Sequence, residues 1–290
     1  MAAVSTITFS FAPTIARGAI LAGMDPLGLL AVRMVITTAL LGATLGFLRN
    51  NRPSIDRRAV RIALGAGAFH GFGFVSFFLA MVTVDASIGS LLFTLSPLVV
   101  LLLLTLRGEG LTYRHLLRLA LGLAGVYLLV GPAGQVDPVG VLLIGVSILT
   151  FSVQLVIMQW HLRDHNGPAI TFYIMGGVTI VAVLAWLASG ATWVDPGRGG
   201  WLAILLLAVV STFLARVAMF AAIRHLGSGQ TALFIPFEAF LTVTWSALFL
   251  DERLTAPQWV GGALIFLSLL FAIQRLRLAR LRLRWIPWTR

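Results

Sequence analysis

Apolar runs of about twenty residues, separated by short polar connections, recur along the whole chain. They occupy 2–22, 26–48, 60–82, 86–106, 114–131, 139–160, 169–190, 201–223, 229–250 and 257–274. A helix needs about 20 apolar residues to cross the hydrocarbon layer of a bilayer, so the pattern predicts ten membrane-spanning helices. None of the runs alternates apolar and polar residues with a period of two, which excludes a transmembrane β-barrel. The first run is the most interrupted, by Ser5, Thr6, Thr8, Ser10, Thr14 and Arg17. It lacks a basic leading segment, so it is expected to be a retained helix rather than a cleaved signal.

The pattern is also duplicated. Residues 86–131 and 228–273 share a layout: an apolar run, then GEGLT at 108–112 or DERLT at 251–255, then another apolar run. Glu109 and Glu252 are 143 residues apart, and Thr8-Phe9-Ser10 and Thr150-Phe151-Ser152 are offset by 142. A single duplication therefore spans the chain: a first five-helix repeat at 1–137, a second at 138–275 and a basic tail at 276–290. Five is an odd number, so the second repeat enters the membrane inverted relative to the first. Inverted repeats characterise transporters whose substrate site lies at mid-depth where the halves meet. The expected fold class is an all-α membrane protein of ten helices.

Composition narrows the chemistry. The chain is 59% hydrophobic and 11% charged, which no soluble domain of 290 residues sustains. Cysteine and lysine are absent, so disulfides, thiolate metal sites and lysine Schiff bases are excluded. The net charge of +11 comes entirely from arginine. With ten spans, Arg49, Arg52, Arg57, Arg58, Arg61, Arg107, Arg114, Arg118, Arg163, Arg224 and the tail fall on one side, while the other has Arg17, Arg198 and Arg253. The positive-inside rule then places both termini in the cytoplasm. The tail from Arg275 to Arg290, with Trp285 and Trp288, reads as an anchor on anionic lipid rather than a nucleic-acid arm.

Five helices per repeat, the short Thr83-Val84-Asp85 connection, GEGLT after the fourth helix and the DERLTAPQWVGGALI tract resemble the EamA-type drug/metabolite transporter superfamily. The resemblance covers essentially all 290 residues and is strongest to bacterial amino-acid exporters, including those for aromatic amino acids. It implies a multi-pass protein of the bacterial inner membrane that exports its solute by alternating access, as a monomer and without a cofactor. The chain departs from the family's frequent Glu-Pro in the ninth helix, having Glu238-Ala239 with Pro236 two residues earlier, and from its frequent Trp-Gly in the first helix, around Phe9–Ala12.

Ionisable residues inside the bilayer must face protein or water rather than lipid. Glu238 and His70 lie near the middles of the ninth and third runs; Arg33 and Arg216 lie about seven residues inside the second and eighth. Glu238 shares a helical stripe with Thr231, Phe234, Thr242 and Trp245, a face suited to an ammonium beside a carboxylate and an apolar group against rings. The alternative is a structural Glu238 paired with Arg216 or capping backbone freed by Pro236. His70 lies with Phe74, Phe77, Phe78 and Met81; it either relays protons or binds a carboxylate, or simply packs. Arg33 and Arg216 either meet a substrate carboxylate or snorkel outward. Ser10, Thr14 and Arg17, Ser87, Ser90 and Thr94, and Ser147, Thr150, Gln154 and His161 form polar stripes that line a cavity or bind helices together. Gly42/Gly46, Gly67/Gly71 and Gly261-Gly262 predict close helix approaches.

The cavity set expected from these residues is His70, Phe74, Phe78, Ser90, Thr94, Gln154, Phe234, Glu238, Thr242 and Trp245, with Arg33 and Arg216 as charge partners. The expected solute is an amino acid or similar small zwitterion. Proton-coupled efflux of drug-like or other metabolites is the alternative, with Glu238 acting alone because the first helix has no carboxylate. An intramembrane enzyme is a remote alternative, since no HExxH, midplane carboxylate pair or Cys/His set is present.

Overall fold

The structure, a computed structural model, describes residues 2–47, 56–105, 113–131, 136–162, 165, 167–219 and 235–268, and among them it is helical throughout. The helices are α1 (Ala2–Leu21), α2 (Pro26–Phe47), α3 (Arg57–Ala80), α4 (Ala86–Phe93), α5 (Ser96–Thr105), α6 (Tyr113–Val130), α7 (Pro138–His161), α8 (Gly167–Ala188), α9 (Gly197–Leu205), α10 (Ile235–Phe249) and α11 (256–268). Beyond α9 the chain winds as a π-helix over Leu206–Leu214 and returns to α geometry at 215–219. Six of these helical stretches are long and apolar enough to cross a membrane, and Ala86–Val100, Ala120–Val130 and Phe237–Phe249 are shorter apolar pieces. Large apolar side chains such as Leu123, Leu142, Ile180, Leu184, Phe240 and Leu248 face outward. That is the surface of a protein solvated by lipid, not water.

One expected span is interrupted. The run at 86–106 was expected to be continuous, but it divides at Thr94–Leu95 into α4 and α5. Pro97 is the physical reason: it has no N–H to bond the Phe93 carbonyl four residues back, and its ring crowds that carbonyl. Ser152 of α7 donates to the Ser96 carbonyl at 3.2 Å, tying the break to a neighbour.

Helix ends carry recognisable caps. Asp137 accepts from Val139 N–H (3.2 Å) and Gly140 N–H (3.0 Å) at the start of α7, with Pro138 at the first helical position. Asp25 accepts from Gly28 N–H at 2.6 Å ahead of α2. Thr255 N–H donates to Gln258 Oε1 at 2.8 Å, the reciprocal half of a capping box at α11. Asp251 ends α10 with a positive φ of 53°, and Glu252 N–H reaches back to the Ser246 carbonyl at 3.3 Å. Together they turn the chain out of the helix, with aspartate in the left-handed conformation where glycine is usual.

Glycine sets the tightest packing. A Cβ on Gly67 would stand 2.1 Å from the Ile174 carbonyl oxygen, and one on Gly177 2.3 Å from that of Leu64. So α3 and α8 cross backbone against backbone, and α3 also packs along α7. Gly125 of α6 and Gly261 of α11 meet in the same way, a Cβ on either standing 2.7 Å from the other's carbonyl oxygen. Gly46 departs from expectation: among the described residues nothing lies within 4 Å of its Cβ position, and of that pair only Gly42 abuts a neighbour, Phe172.

Two apolar clusters fill the interior. Leu29, Leu30, Met34, Phe78, Ile170, Ile174, Met175, Ile204 and Leu207 join α2, α3, α8 and α9. Val84, Ile88, Leu92, Leu129, Ile144 and Ile148 join α4, α6 and α7.

One end of the molecule is defined by contacts between helix termini. Arg17, late in α1, reaches the Met81 carbonyl just after α3 and Asp85 just before α4. Glu252, just after α10, binds the first residues of α4. Thr83 donates to Asp137 before α7 at 2.7 Å, and Gln258 of α11 reaches the Leu129 carbonyl near the end of α6 at 3.4 Å. The start of α2 meets Trp186 late in α8, and the start of α9 meets Met24. Trp186, Trp193 and Trp201 form an aromatic group at this end, with Trp201 Nε1 donating to Asp195 at 2.8 Å. Such groups suit the membrane–water interface.

Candidate functional site

Arg216 lies just beyond the π stretch, and three other ionisable side chains feel its charge: Arg33 of α2, His70 of α3 and Glu238 of α10. These are the four intramembrane ionisable residues singled out in the sequence, and the fold brings them together. Of the ten carboxylates, Glu238 alone falls inside an apolar run. No direct ion pair joins it to Arg216 among the described residues, so the two interact through space rather than by contact.

The π stretch positions this group. Thr212 Oγ1 donates to the Leu207 carbonyl five residues back at 2.8 Å, the spacing a π-helix supplies. The same oxygen accepts from Arg33 Nη2 at 3.0 Å. The Arg33 guanidinium carbon also lies 5.4 Å from the centre of the Phe78 ring, and that of Arg216 lies 5.9 Å from Phe9. A ring face steadies a cation by about 0.5–2 kcal/mol, against about 2.5–3.5 kcal/mol for an arginine at the bilayer centre. Both guanidinium groups keep a buried Nε without a hydrogen-bond partner. Arg33 is held inside the helix bundle by Thr212 and Phe78 rather than reaching a helix end.

His70 is enclosed by rings. Phe74 lies 4.7 Å and Phe151 5.2 Å from it, centre to centre, and Phe93 and Phe77 continue the chain of contacts. Its Nδ1 is buried without a partner.

A second group lies between α1 and α10. Thr242 Oγ1 donates to the Ser10 carbonyl at 2.9 Å and also to the Glu238 carbonyl at 3.0 Å. Trp245 Nε1 donates to Ser10 Oγ at 3.0 Å, its ring stacks on Phe11 at 4.6 Å, and Thr14 bonds Ser246 at 2.9 Å. These bonds fix α10, and hence Glu238, against α1.

The other expected residues divide. Ser90 and Thr94 are buried, but their hydroxyls turn back onto Ser87 and Leu91 carbonyls of their own helix. Gln154 is buried with its amide nitrogen on the Met158 sulfur at 3.1 Å and its Oε1 unpartnered. His161 is exposed at the end of α7. Thr231 and Phe234 lie outside the described residues. Sequence reasoning missed Thr212, Phe9 and Phe151 as site residues. Thr212 was accessible as the residue one helical turn before Arg216, and Phe9 and Phe151 are the matched aromatics of the duplicated Thr-Phe-Ser.

A separate polar cluster closes the end described above. Glu252 accepts from Ala86 N–H and Ser87 N–H, both at 2.9 Å, and from the Ser87 hydroxyl. Beside it Arg17 pairs with Asp85 at 3.3 Å. Burial, and after it the adjacent Glu252 carboxylate, raises the Asp85 carboxyl above its ordinary value, with Arg17 opposing. The Thr83 hydroxyl holds the Asp137 carboxyl below its ordinary value.

Comparison with known proteins adds the following. The model of the EamA-like transporter family matches residues 1–131 and again 138–274. A protein of Archaeoglobus fulgidus named as an uncharacterized transporter is 26% identical over 215 residues, covering 74% of this chain and 77% of its own length. A crystal structure 22% identical in sequence superposes with a TM-score of 0.61 over 96% of this chain and 98% of its own, and so shares the fold.

Proposed function

The chain belongs to the EamA-like transporter family, and from that premise we propose that it exports amino acids or similar small zwitterionic metabolites by alternating access. The single observation that carries the reading is the meeting of Arg33 and His70, from the first family match, with Arg216 and Glu238, from the second. An amino acid needs a cation for its carboxylate, an anion for its ammonium and an apolar wall. Arginine, glutamate and the phenylalanines offer all three.

Two inverted five-helix repeats, 1–137 and 138–275, are the architecture this reading uses. Contacts at one end of the molecule support it. There the C-terminal ends of α1, α3 and α6 gather with the N-terminal ends of α7, α9 and α11, and the starts of α2 and α4 with the ends of α8 and α10. These contacts are those expected if corresponding helices of the two halves run in opposite directions, and this end carries few arginines. The proposed setting is the bacterial inner membrane, with both termini and the basic tail in the cytoplasm, the protein acting as a monomer.

Proton-coupled efflux is a second reading, favoured by Glu238 as the sole carboxylate within the apolar runs. Flux of a panel of labelled amino acids in proteoliposomes, with and without an imposed pH gradient, separates the two. Gradient-independent amino-acid flux, reduced at least tenfold by Glu238→Gln with normal insertion, is expected. Flux of none of the panel overturns the substrate assignment.

A further inference from the structure

Among the four coupled residues there are two guanidiniums and one carboxylate. An arginine does not shed its proton in a protein. Every other acid in the chain (Asp25, Asp56, Asp85, Glu109, Asp137, Asp164, Asp195, Asp251 and Glu252) falls outside the apolar runs. The surplus is one positive charge, held where hydrocarbon surrounds the protein.

The geometry locates that surplus on Arg33. Glu238 is an electrostatic partner of Arg216. Among the described residues the Arg33 guanidinium touches only neutral groups, the Thr212 hydroxyl at 3.0 Å and the Phe78 ring at 5.4 Å, while the like charge of Arg216 acts on it through space. It is 5% exposed, and its Nε is unpartnered. A guanidinium is a planar fork that matches a carboxylate with two parallel N–H donors. A hydroxyl and a ring face use only part of that fork. His70, whose buried Nδ1 has no partner among the described residues, is a further group within reach of the Arg216 charge.

We propose that Arg33 is a carboxylate-binding residue, and that the solute the site accepts best bears one net negative charge, as an acidic amino acid does. The inference rests on the amino-acid transport reading and sharpens it. A neutral zwitterion leaves the site with its surplus charge. A cationic amino acid adds to it, and an acidic one cancels it. The acidic solute places one carboxylate on the Arg33 fork and the other beside Arg216, with its ammonium toward Glu238.

The test uses the full-length protein in proteoliposomes with labelled L-glutamate, L-phenylalanine and L-lysine at equal concentration and clamped membrane potential. Glutamate flux at least tenfold above lysine flux is expected, with phenylalanine between. Arg33→Met is expected to abolish the glutamate preference, and Arg33→Lys, which keeps the charge but not the fork, to retain part of it. Phenylalanine or lysine flux equal to or above glutamate flux in the wild type overturns this inference while leaving amino-acid transport standing. Glutamate preference that persists in a folded Arg33→Met protein overturns the assignment to Arg33. Flux of none of the three overturns the transport reading itself. If Arg33→Met fails to fold, the wild-type order of the three solutes still decides.

Discussion

Glu252 and Ser87 are 165 residues apart in sequence, yet the carboxylate of one accepts from both the backbone N–H and the hydroxyl of the other. With Ala86 N–H added, one side chain satisfies two of the four amides that the start of α4 leaves open. It also places negative charge at the positive end of a helix. Glu252→Ala removes every one of these bonds. A loss of about 1–3 kcal/mol is expected, read as a lower unfolding temperature in detergent. Glu252→Gln keeps one acceptor oxygen and loses the charge, and should fall between. A Glu252→Ala protein as stable as wild type would show that the cap contributes nothing.

Asp251 sets the direction of Glu252. Its positive φ of 53° stops α10 and turns the next residue toward α4. Glycine takes that conformation without strain, so Asp251→Gly should leave stability unchanged or raise it by up to about 1 kcal/mol. Asp251→Val, branched at Cβ, should lower it by about 1–2 kcal/mol. The Arg253–Asp251 ion pair lost in both variants is fully exposed and contributes little. Equal unfolding temperatures for the two variants would refute the account.

Two glycines that look alike in sequence should behave differently. Gly67→Ala drives a methyl into the Ile174 carbonyl and should destabilise by about 1–3 kcal/mol, since α3 and α8 must separate. Gly46→Ala meets nothing and should be neutral or slightly favourable. Parallel thermal melts of the two variants decide it, and similar melts would sink the distinction.

Asp85 carries a pH signature. Its carboxyl is raised above the ordinary value of 3.8, so the folded protein holds that proton more tightly than the unfolded chain. Its contribution therefore falls as pH rises from 3.8 through the raised folded value, where the group takes on charge beside Glu252, with Arg17 as its counter-ion. Asp85→Asn should flatten the dependence of unfolding temperature on pH across that window. An unchanged slope would assign the effect to other groups.

Much of this was legible in the residues themselves. Long apolar runs located the helices because lipid leaves no other way to satisfy a backbone. Asp25-Pro26 and Asp137-Pro138 stand at two helix starts, a signal the apolar runs alone did not use, and the isolated charges named the candidate site. The break at Thr94–Leu95 was equally written, in Pro97, but a run of apolar residues obscured it. Gly46 was misjudged because a spacing of four names a helix face without naming its neighbour. The partners of Arg33 were beyond reach: Thr212 is 179 residues away, and no local pattern marks the π stretch that aims it.

That stretch makes Leu206–Leu214 sensitive to length in a way its composition does not suggest. A π turn accommodates one residue more than an α turn, so removing a single residue there should let the segment relax to ordinary winding. What lies beyond would then largely keep its facing, because the tighter winding of the remaining residues makes up the lost step. One residue added instead, which the already wide turns cannot absorb, would turn everything beyond by about 100° around the axis, the rotation of one helical step. Arg216 would swing away from Phe9 and leave Glu238 and Arg33 without their shared neighbour. One added residue among these nine apolar-rich positions is thus expected to silence transport as surely as replacing a charge, while the protein still enters the membrane. In this segment the number of residues, more than their identity, sets where the guanidinium points.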